Sequence, residues 1–158
     1  MKLCEHFKFN AVTLSPMLDD DIQEMVDMIN RAYSYQNQIK GEPRTNPAHL
    51  RNRASEVQLF VARSDIRIVG CVYLEPKDSA LHFGLLTVAD DFRGTGLAQA
   101  VMKAIEEYAL ATGFRTLDLD YMSIAPWLRK YYEGYGFRET GEVYKWGLID
   151  LIRMRKEI

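Results

Sequence analysis

The sequence predicts an α+β fold: a mixed, mostly antiparallel central sheet of about seven strands with helices on both faces. Two observations predict it. Three strand-like runs between residues 57 and 88 are joined by links too short for anything but antiparallel neighbours. A glycine-rich turn then opens a long amphipathic helix, after which further strands and one more helix follow.

The composition is that of an ordinary globular protein, and we expect residues 1–158 to form a single domain. The charge balance of 20 Lys and Arg against 22 Asp and Glu lacks the basic excess of a nucleic-acid-binding protein, so we expect no nucleic-acid partner. The longest uncharged run, Ser79–Ala89, is too short to span a membrane, and the charged N-terminus does not resemble a secretory signal. Because Cys4 and Cys71 are isolated, we expect a cytoplasmic protein without a membrane partner.

The clearest helix signal in the first part of the chain lies over Asp20–Tyr33. Its apolar residues recur at intervals of three and four, so they share one face. Asp21 and Glu24 have the spacing of a capping box, and the acidic residues there suit the helix dipole better than a metal ion. We expect a strand over Lys8–Leu14 before this helix and a mostly irregular segment, Tyr35–Glu56, after it.

The remaining elements are predicted from apolar runs and their boundaries. Short apolar runs between turn residues predict strands. Glycine just beyond an apolar periodic segment and proline in a first turn mark helix ends and starts. The predicted strands are Val57–Arg63, Ile68–Glu75, Ala80–Val88, Thr116–Asp120, Phe137–Lys145 and Leu148–Arg155, and the predicted helices are Ala48–Ala54, Gly96–Thr112 and Ala125–Glu133.

The most informative segment is the loop at residues 93–98, which reads RGTGLA. Glycines there let successive main-chain N–H groups point to one position, and the positive end of the following helix adds attraction for a phosphate. A Walker A loop would end in Gly-Lys-Ser/Thr, whereas this loop ends in Gly-Leu-Ala. A dinucleotide-binding loop would need a small residue at Gln99 and a parallel βαβ unit, whereas antiparallel strands precede this loop.

The loop resembles the acetyl-CoA-binding signature of the GNAT superfamily of N-acetyltransferases. That signature is Arg/Gln-x-x-Gly-x-Gly/Ala between a strand ending in Leu-x-Val and a long helix, and residues 86–98 match it. The segment 132–137, YEGYGF, matches the Tyr-Glu-x-x-Gly-Phe element of the family. The order of strands and helices agrees over nearly the whole chain. The resemblance implies the GNAT fold and an enzyme that uses acetyl-CoA as acyl donor.

The resemblance also implies where acetyl-CoA binds. Its pyrophosphate would lie on the loop, and its pantetheine arm would lie between the strands Ala80–Val88 and Thr116–Asp120. An N–H near Leu86 would hydrogen-bond the thioester carbonyl and stabilise the oxyanion. The residues expected to bind the cofactor are Leu86, Thr87, Val88, Arg93, Gly94, Thr95, Gly96, Leu97 and Ala98.

The implied reaction is direct attack of a primary amine on the thioester in a ternary complex. An amine with a pKa near 10.4 is neutral in about one molecule in a thousand or fewer at pH 7, which costs roughly 4 kcal/mol. By resemblance, Tyr132 is the expected acid at the CoA sulfur, with Tyr131 as the alternative. Many relatives carry a glutamate base where this chain has Gly84. His82, Asp120 or a water chain are open alternatives for the base, and His82 is equally open to a structural role.

The acceptor is expected to be a small-molecule amine. A protein lysine or N-terminal acetyltransferase and a non-catalytic acyl-CoA-binding sensor module are the alternatives. Arg44, Arg51 and Arg53 lie in the segment that overlies the acceptor site in the family, where they would either bind an acceptor carboxylate or phosphate or form a solvated surface. His6 and His49 have no partner at ligand spacing, so we expect no metal. Exposed C-terminal strands make a homodimer reasonable.

Overall fold

The computed structural model describes residues 2–158, in which seven strands form one sheet. The strands are β1 Val12–Pro16, β2 Gln58–Ser64, β3 Arg67–Lys77, β4 Ala80–Val88, β5 Thr116–Met122, β6 Arg138–Trp146 and β7 Ile149–Glu157. Their order across the sheet is β1-β2-β3-β4-β5-β7-β6. All neighbours are antiparallel except β4 and β5, which run parallel. The predicted mixed, mostly antiparallel sheet of seven strands is therefore confirmed.

Most predicted helices form, with ends shifted by a few residues. The helices are α1 Leu3–His6, α2 Ile22–Ala32, α3 Asn37–Lys40, α4 Pro47–Glu56, α5 Leu97–Ala111 and α6 Trp127–Glu133. The prediction missed α1 and α3, which are single turns without a detectable period. The predicted strand Lys8–Leu14 was wrong in its first half, because the chain turns at Asn10, whose φ is 38°, and pairing starts at Val12.

The predicted capping box at the start of α2 was wrong. The Asp21 carboxylate accepts the main-chain N–H of Leu18 at 2.8 Å and pairs with Arg63 at 2.6 Å. Glu24 accepts the N–H of Ile68 at 2.6 Å, at the start of β3. The bond to Leu18 is local and caps the short turn before α2, whereas the contacts with Arg63 and Ile68 are tertiary. None of these bonds forms the predicted cap between Asp21 and Glu24.

Helices cover both faces of the sheet, as predicted. Residues 82 and 83 of β4 point to opposite faces because side chains alternate along a strand. On one face, Arg53 of α4 stacks over Tyr73, the neighbour of His82. On the other face, Phe83 lines a hollow together with Met102 of α5. Among residues 2–158, no helix is long and apolar enough to cross a bilayer.

We expect Ile105→Ala to lower the free energy of unfolding by about 2–5 kcal/mol, because it leaves a cavity between α5 and the sheet. Ile105 is fully buried, whereas Leu110 on the same helix is 41% exposed. Leu110→Ala is therefore the matched control and should cost no more than about 1 kcal/mol. Urea unfolding of both variants checks this, and equal losses would contradict the described packing of α5.

Candidate active site

The parallel strands β4 and β5 separate soon after they begin. They pair only at Leu81 with Leu117 and at His82 with Asp118, whereas β5 keeps its pairing with β7 along its full length. Beyond His82 the two strands diverge. A cavity of about 230 Å³ opens at this gap.

A β-bulge in β4 accompanies this divergence. Gly84 pairs with Tyr73 and Thr87 pairs with Cys71, so one residue of β3 faces two of β4. The extra residue is accommodated by Leu85, whose φ is +55°, a left-handed conformation that costs energy for a residue with a Cβ. The bulge bends β4 away from β5 and thereby opens the gap.

The loop that follows β4 leaves the start of α5 without a side-chain cap. Gly94 and Gly96 have φ values of +74° and +92°, which favour glycine. Within residues 2–158, no side chain accepts the N–H groups of the first turn of α5. The loop borders a second hollow of about 460 Å³, and exposed Arg93 lies beside it, paired with Asp90 at 3.3 Å. Free N–H groups at the positive end of a helix favour an anion.

The two neighbouring tyrosines of α6 line different hollows. Tyr132 is 9% exposed and lines the gap between β4 and β5, whereas Tyr131 is 38% exposed and lines the hollow at the loop. Burial raises the pKa of Tyr132 far above its ordinary value. Tyr132 therefore stays a neutral phenol at physiological pH and can donate a hydrogen bond into the gap.

His82 lies at the base of the gap in a chain of hydrogen bonds. Its Nδ1 donates to Asp118 at 2.5 Å, and its Nε2 faces the hydroxyl of Tyr73 at 3.4 Å. Burial alone would raise the pKa of Asp118, but the hydrogen bond from His82 and the charge of Arg153 lower it below its ordinary value. Because ionised Asp118 can only accept, Nδ1 carries the proton and Nε2 is free to accept one from Tyr73.

Asp120, across the gap, is held in an ion pair. Arg153 of β7 donates to its two oxygens from Nε at 2.5 Å and from Nη2 at 3.3 Å. Arg153 also lies 3.6 Å from Asp118, which has a second guanidinium, Arg155, at 3.4 Å. The structure therefore brings Asp120 to the cavity, but as a paired carboxylate.

Tyr73 is the site residue that sequence reasoning missed. A Cβ placed on Gly84 would lie 2.5 Å from the hydroxyl of Tyr73, so this phenol occupies the space where a side chain at position 84 would begin. A glycine inside a strand signals such a close approach, and the register of β3 against β4 would have identified the partner. A side chain at position 84 would therefore require the ring of Tyr73 to move.

The three clustered arginines separate in the structure. Arg51 pairs with Asp19 at the surface, and Arg53 pairs with Glu75 while it stacks over Tyr73. Arg44 enters the cavity wall. Within the described part of the chain, no group of three His, Cys, Asp or Glu residues is placed to hold a metal ion.

Comparison with known families decides what kind of domain holds this site. A family model described as acetyltransferase (GNAT) domain matches residues 29–158. The chain belongs to the GNAT acetyltransferase family. Both the predicted resemblance and the predicted fold are confirmed by this match and by the sheet described above.

Curated proteins are similar to this chain over part of its length. N-acetyltransferase 8B of Mus musculus is 29% identical over 101 residues, and the match covers 58% of this chain and 44% of that protein. N-acetylaspartate synthetase of Danio rerio is 27% identical over 96 residues, covering 60% of this chain and 34% of that protein. The GNAT chain therefore spans less than half the length of these curated relatives.

Similarity to solved GNAT structures extends over nearly the whole fold. A GNAT family acetyltransferase from Elizabethkingia anophelis, solved with acetyl-CoA bound, superposes with a TM-score of 0.67 at 19% identity. The superposition covers 95% of this chain and 100% of that chain. At this level of identity the similarity establishes a shared fold.

In this GNAT domain the nine predicted cofactor residues follow one path from the gap to the loop. Leu86 lines the gap, and its carbonyl accepts the hydroxyl of Tyr33 at 3.4 Å. Thr87 is buried, and its hydroxyl donates to the Leu85 carbonyl at 2.9 Å, so its side chain is already engaged within the protein. The remaining seven, which border the hollow at the loop, are Val88, Arg93, Gly94, Thr95, Gly96, Leu97 and Ala98.

We expect Asp118→Asn to lower the free energy of unfolding at pH 7 by about 3–5 kcal/mol, because it leaves buried charged partners uncompensated. The pKa of Asp118 is lowered in the folded state, so its stabilisation is complete above the ordinary value near 3.9 and is lost as pH falls through the lowered value. The deficit of the variant should therefore shrink in acid. Urea unfolding from pH 7 to pH 3 measures it.

Asp78→Asn is the matched control for Asp118→Asn. Asp78 is exposed in the turn before β4, and its φ of +53° suits asparagine as well as aspartate. Its unfolding free energy should stay within about 0.5 kcal/mol of the parent at every pH. A pH-independent deficit for Asp118→Asn would contradict the charged network around His82.

Proposed function

We propose that residues 1–158 form one N-acetyltransferase domain that transfers the acetyl group of acetyl-CoA to a primary amine of a small molecule, by direct attack in a ternary complex. The observation that carries this proposal is the bulged β4, which leaves a gap beside β5 and leads into a glycine loop and an uncapped helix. A thioester arm fits the gap and a diphosphate fits the loop. Family membership and the acetyl-CoA in the Elizabethkingia anophelis relative support the choice of cofactor.

In this proposal the main chain does most of the cofactor binding. The first turn of α5 and the loop around Gly94 and Gly96 hold the pyrophosphate through N–H groups. The pantetheine arm lies along β4, where the bulge removes part of the pairing with β5. The N–H near Leu86 stabilises the oxyanion that forms when the amine attacks the thioester carbonyl.

We assign the removal of the amine proton to the chain Tyr73–His82–Asp118. As the ammonium group approaches, its proton moves to the phenol oxygen of Tyr73 while the phenolic proton moves to Nε2 of His82. Asp118 stabilises the resulting imidazolium through the hydrogen bond at Nδ1. The 3.4 Å separation between Tyr73 and His82 is typical of catalytic hydrogen bonds before substrate binds.

Tyr132 acts on the leaving group. When the tetrahedral intermediate collapses, the C–S bond breaks and its electron pair goes to sulfur. The nitrogen gives up its second proton to the departing thiolate, which leaves the amide and the CoA thiol. Because burial raises the pKa of Tyr132 well above that of a thiol, the phenol stabilises the departing thiolate chiefly as a hydrogen-bond donor. Asp120, already bound to Arg153, is the alternative acceptor of the ammonium proton through water.

The size of the cavity favours a small acceptor over a protein. About 230 Å³ has to hold the acetyl end of the donor as well as the amine. The relative from Danio rerio is named for synthesis of N-acetylaspartate, which is consistent with a small acceptor. A protein acetyltransferase and an acyl-CoA sensor are the alternatives. A cytoplasmic location and a homodimer through exposed β6 remain predictions.

We expect Gly96→Asp to weaken acetyl-CoA binding by at least 100-fold, because it sets a carboxylate beside the proposed pyrophosphate site. Gly113→Asp is the matched control, since Gly113 has a similar φ of +95° at the other end of α5 and its Cβ would meet nothing. Calorimetric titration with acetyl-CoA measures both variants. Equal affinity in the two would remove the loop as the diphosphate site.

We expect Tyr73→Phe to lower kcat about 100-fold at pH 7, with the loss shrinking as pH rises toward the pKa of the amine. Tyr132→Phe should lower kcat by a similar factor at every pH, because the phenol does not titrate in this range and only its hydrogen bond is lost. Both variants should keep the affinity for acetyl-CoA. Release of free CoA thiol with a panel of amines is the measurement.

Tyr135→Phe is the control for both tyrosine substitutions, because Tyr135 packs against Tyr131 outside the gap. Its kcat should match the parent. A full rate at pH 7 in Tyr73→Phe would shift the base to Asp120 or water. If the parent protein binds acetyl-CoA but releases no thiol with any amine or peptide, the sensor alternative is correct.

A further inference from the structure

One cation in the cavity wall lacks a partner. Arg44 has no carboxylate within 4.0 Å among residues 2–158, and its Nε is buried without any hydrogen-bond partner. Its guanidinium stacks 4.7 Å from the ring centre of Trp146 and 5.5 Å from that of Tyr33. The aromatic rings hold the group in place without neutralising its charge. A buried donor that is left unpaired costs stability, and a bound anion would offset part of that cost.

The neighbouring arginines do not share this property. Arg53 binds Glu75 at 3.3 Å and Glu56 at 3.1 Å, so its charge is balanced within the protein. Arg153, on the opposite wall, is balanced by Asp120 at 2.5 Å. The uncompensated positive charge of the cavity is therefore centred on Arg44.

One other basic group adds to this charge. Lys40 lies 3.1 Å from the ring centre of Trp146, against the same indole that Arg44 contacts. Burial, followed by the positive charges of Arg44 and Arg53, lowers the pKa of His49, whose ring also borders the cavity, so this imidazole is neutral at pH 7 and reflects the positive potential around it. The positive potential on this side of the cavity favours binding of an anion.

We infer that Arg44 binds a carboxylate of the acceptor, so that the substrates are small amino acids or similar amines carrying a carboxylate. This inference rests on the proposed acetyl transfer. Arg44, Tyr73 and Leu86 border the same cavity, so one small molecule can present its carboxylate to Arg44 and its amine to Tyr73. The anion subsite and the reacting carbonyl would then orient the amine together.

A carboxylate fits this subsite better than a phosphate. A guanidinium binds a carboxylate through two parallel N–H groups, and among residues 2–158 no carboxylate competes for the guanidinium of Arg44. A phosphate dianion would call for a second unpaired cation at hydrogen-bonding range. Lys40 instead sits over the indole of Trp146, and Arg53 is already bound to carboxylates.

The test compares acceptors that differ only in the anion. α-, β- and γ-amino acids are paired with their carboxamides, and phosphoethanolamine is paired with ethanolamine, each at saturating acetyl-CoA. Rates are expressed per neutral amine and followed by release of CoA thiol. The best acceptor should carry a carboxylate, and its kcat/KM should exceed that of its carboxamide by about 10- to 100-fold, as for a charged hydrogen bond.

Substitution of Arg44 tests whether this residue causes the preference for carboxylate acceptors. Arg44→Gln should reduce the carboxylate-to-carboxamide ratio to near 1 while the carboxamide rate is kept, and Arg44→Lys should retain part of the preference. Arg51→Gln, which removes an exposed arginine paired with Asp19, is the control and should keep the parent ratio. The melting temperature of Arg44→Gln should not fall, because the lost Nε has no partner in the free protein.

Several results would overturn the inference. A carboxylate-to-carboxamide ratio of kcat/KM near 1 in the parent protein overturns it. This outcome does not depend on whether the variants fold. A preference for phosphoethanolamine over every carboxylate reassigns the subsite to phosphate. Equal loss of both rates in Arg44→Gln makes the role structural. In each of these cases the proposed acetyl transfer itself stands. If the protein binds acetyl-CoA but releases no CoA thiol with any acceptor, both the proposed transferase activity and the acceptor assignment are wrong.

Discussion

The left-handed turn of the main chain at Leu85 is the constraint on which the site depends. It inserts one extra residue into β4, ends the pairing with β5 after His82 and opens the sheet at its centre. Without that bend the parallel strands would continue to pair, and their N–H and C=O groups would bind one another. A sheet that is interrupted in its interior offers unpaired main-chain groups inside a preformed cavity, which is what an extended amide-bearing arm needs.

Beneath the opening, charged side chains add a second set of contacts to the main-chain pairing that joins β4, β5 and β7. His82, Asp118, Asp120 and Arg153 connect these strands through short hydrogen bonds in a place with little access to solvent. Buried charges are tolerated only when each has a partner, and here the partners come from different strands. The same network fixes the tautomer of His82, so the proposed proton route to Tyr73 depends on contacts that also stabilise the sheet.

The two walls of the cavity differ in how their charges are balanced. On the β5 and β7 side, Asp120 and Arg153 neutralise one another. On the side of the segment before α4, Arg44 is held by aromatic rings and lacks an acidic partner in the described chain. The unpaired charge lowers the stability of the free protein and raises the affinity for an anion, which is the usual relation between strain and binding in functional sites.

The sequence by itself determined the parts that depend on local patterns. The loop at residues 93–98, the helix after it and the strand Ala80–Val88 could be predicted because glycine geometry and hydrophobic periodicity act over a few residues. Only the tertiary structure decided which side chains meet across strands. Tyr73 fills the space at Gly84 because of the register of β3 against β4, and Arg44 meets Tyr33 and Trp146, which lie far from each other in the chain. Contacts between distant residues depend on strand register and on the path of loops, which no local pattern encodes.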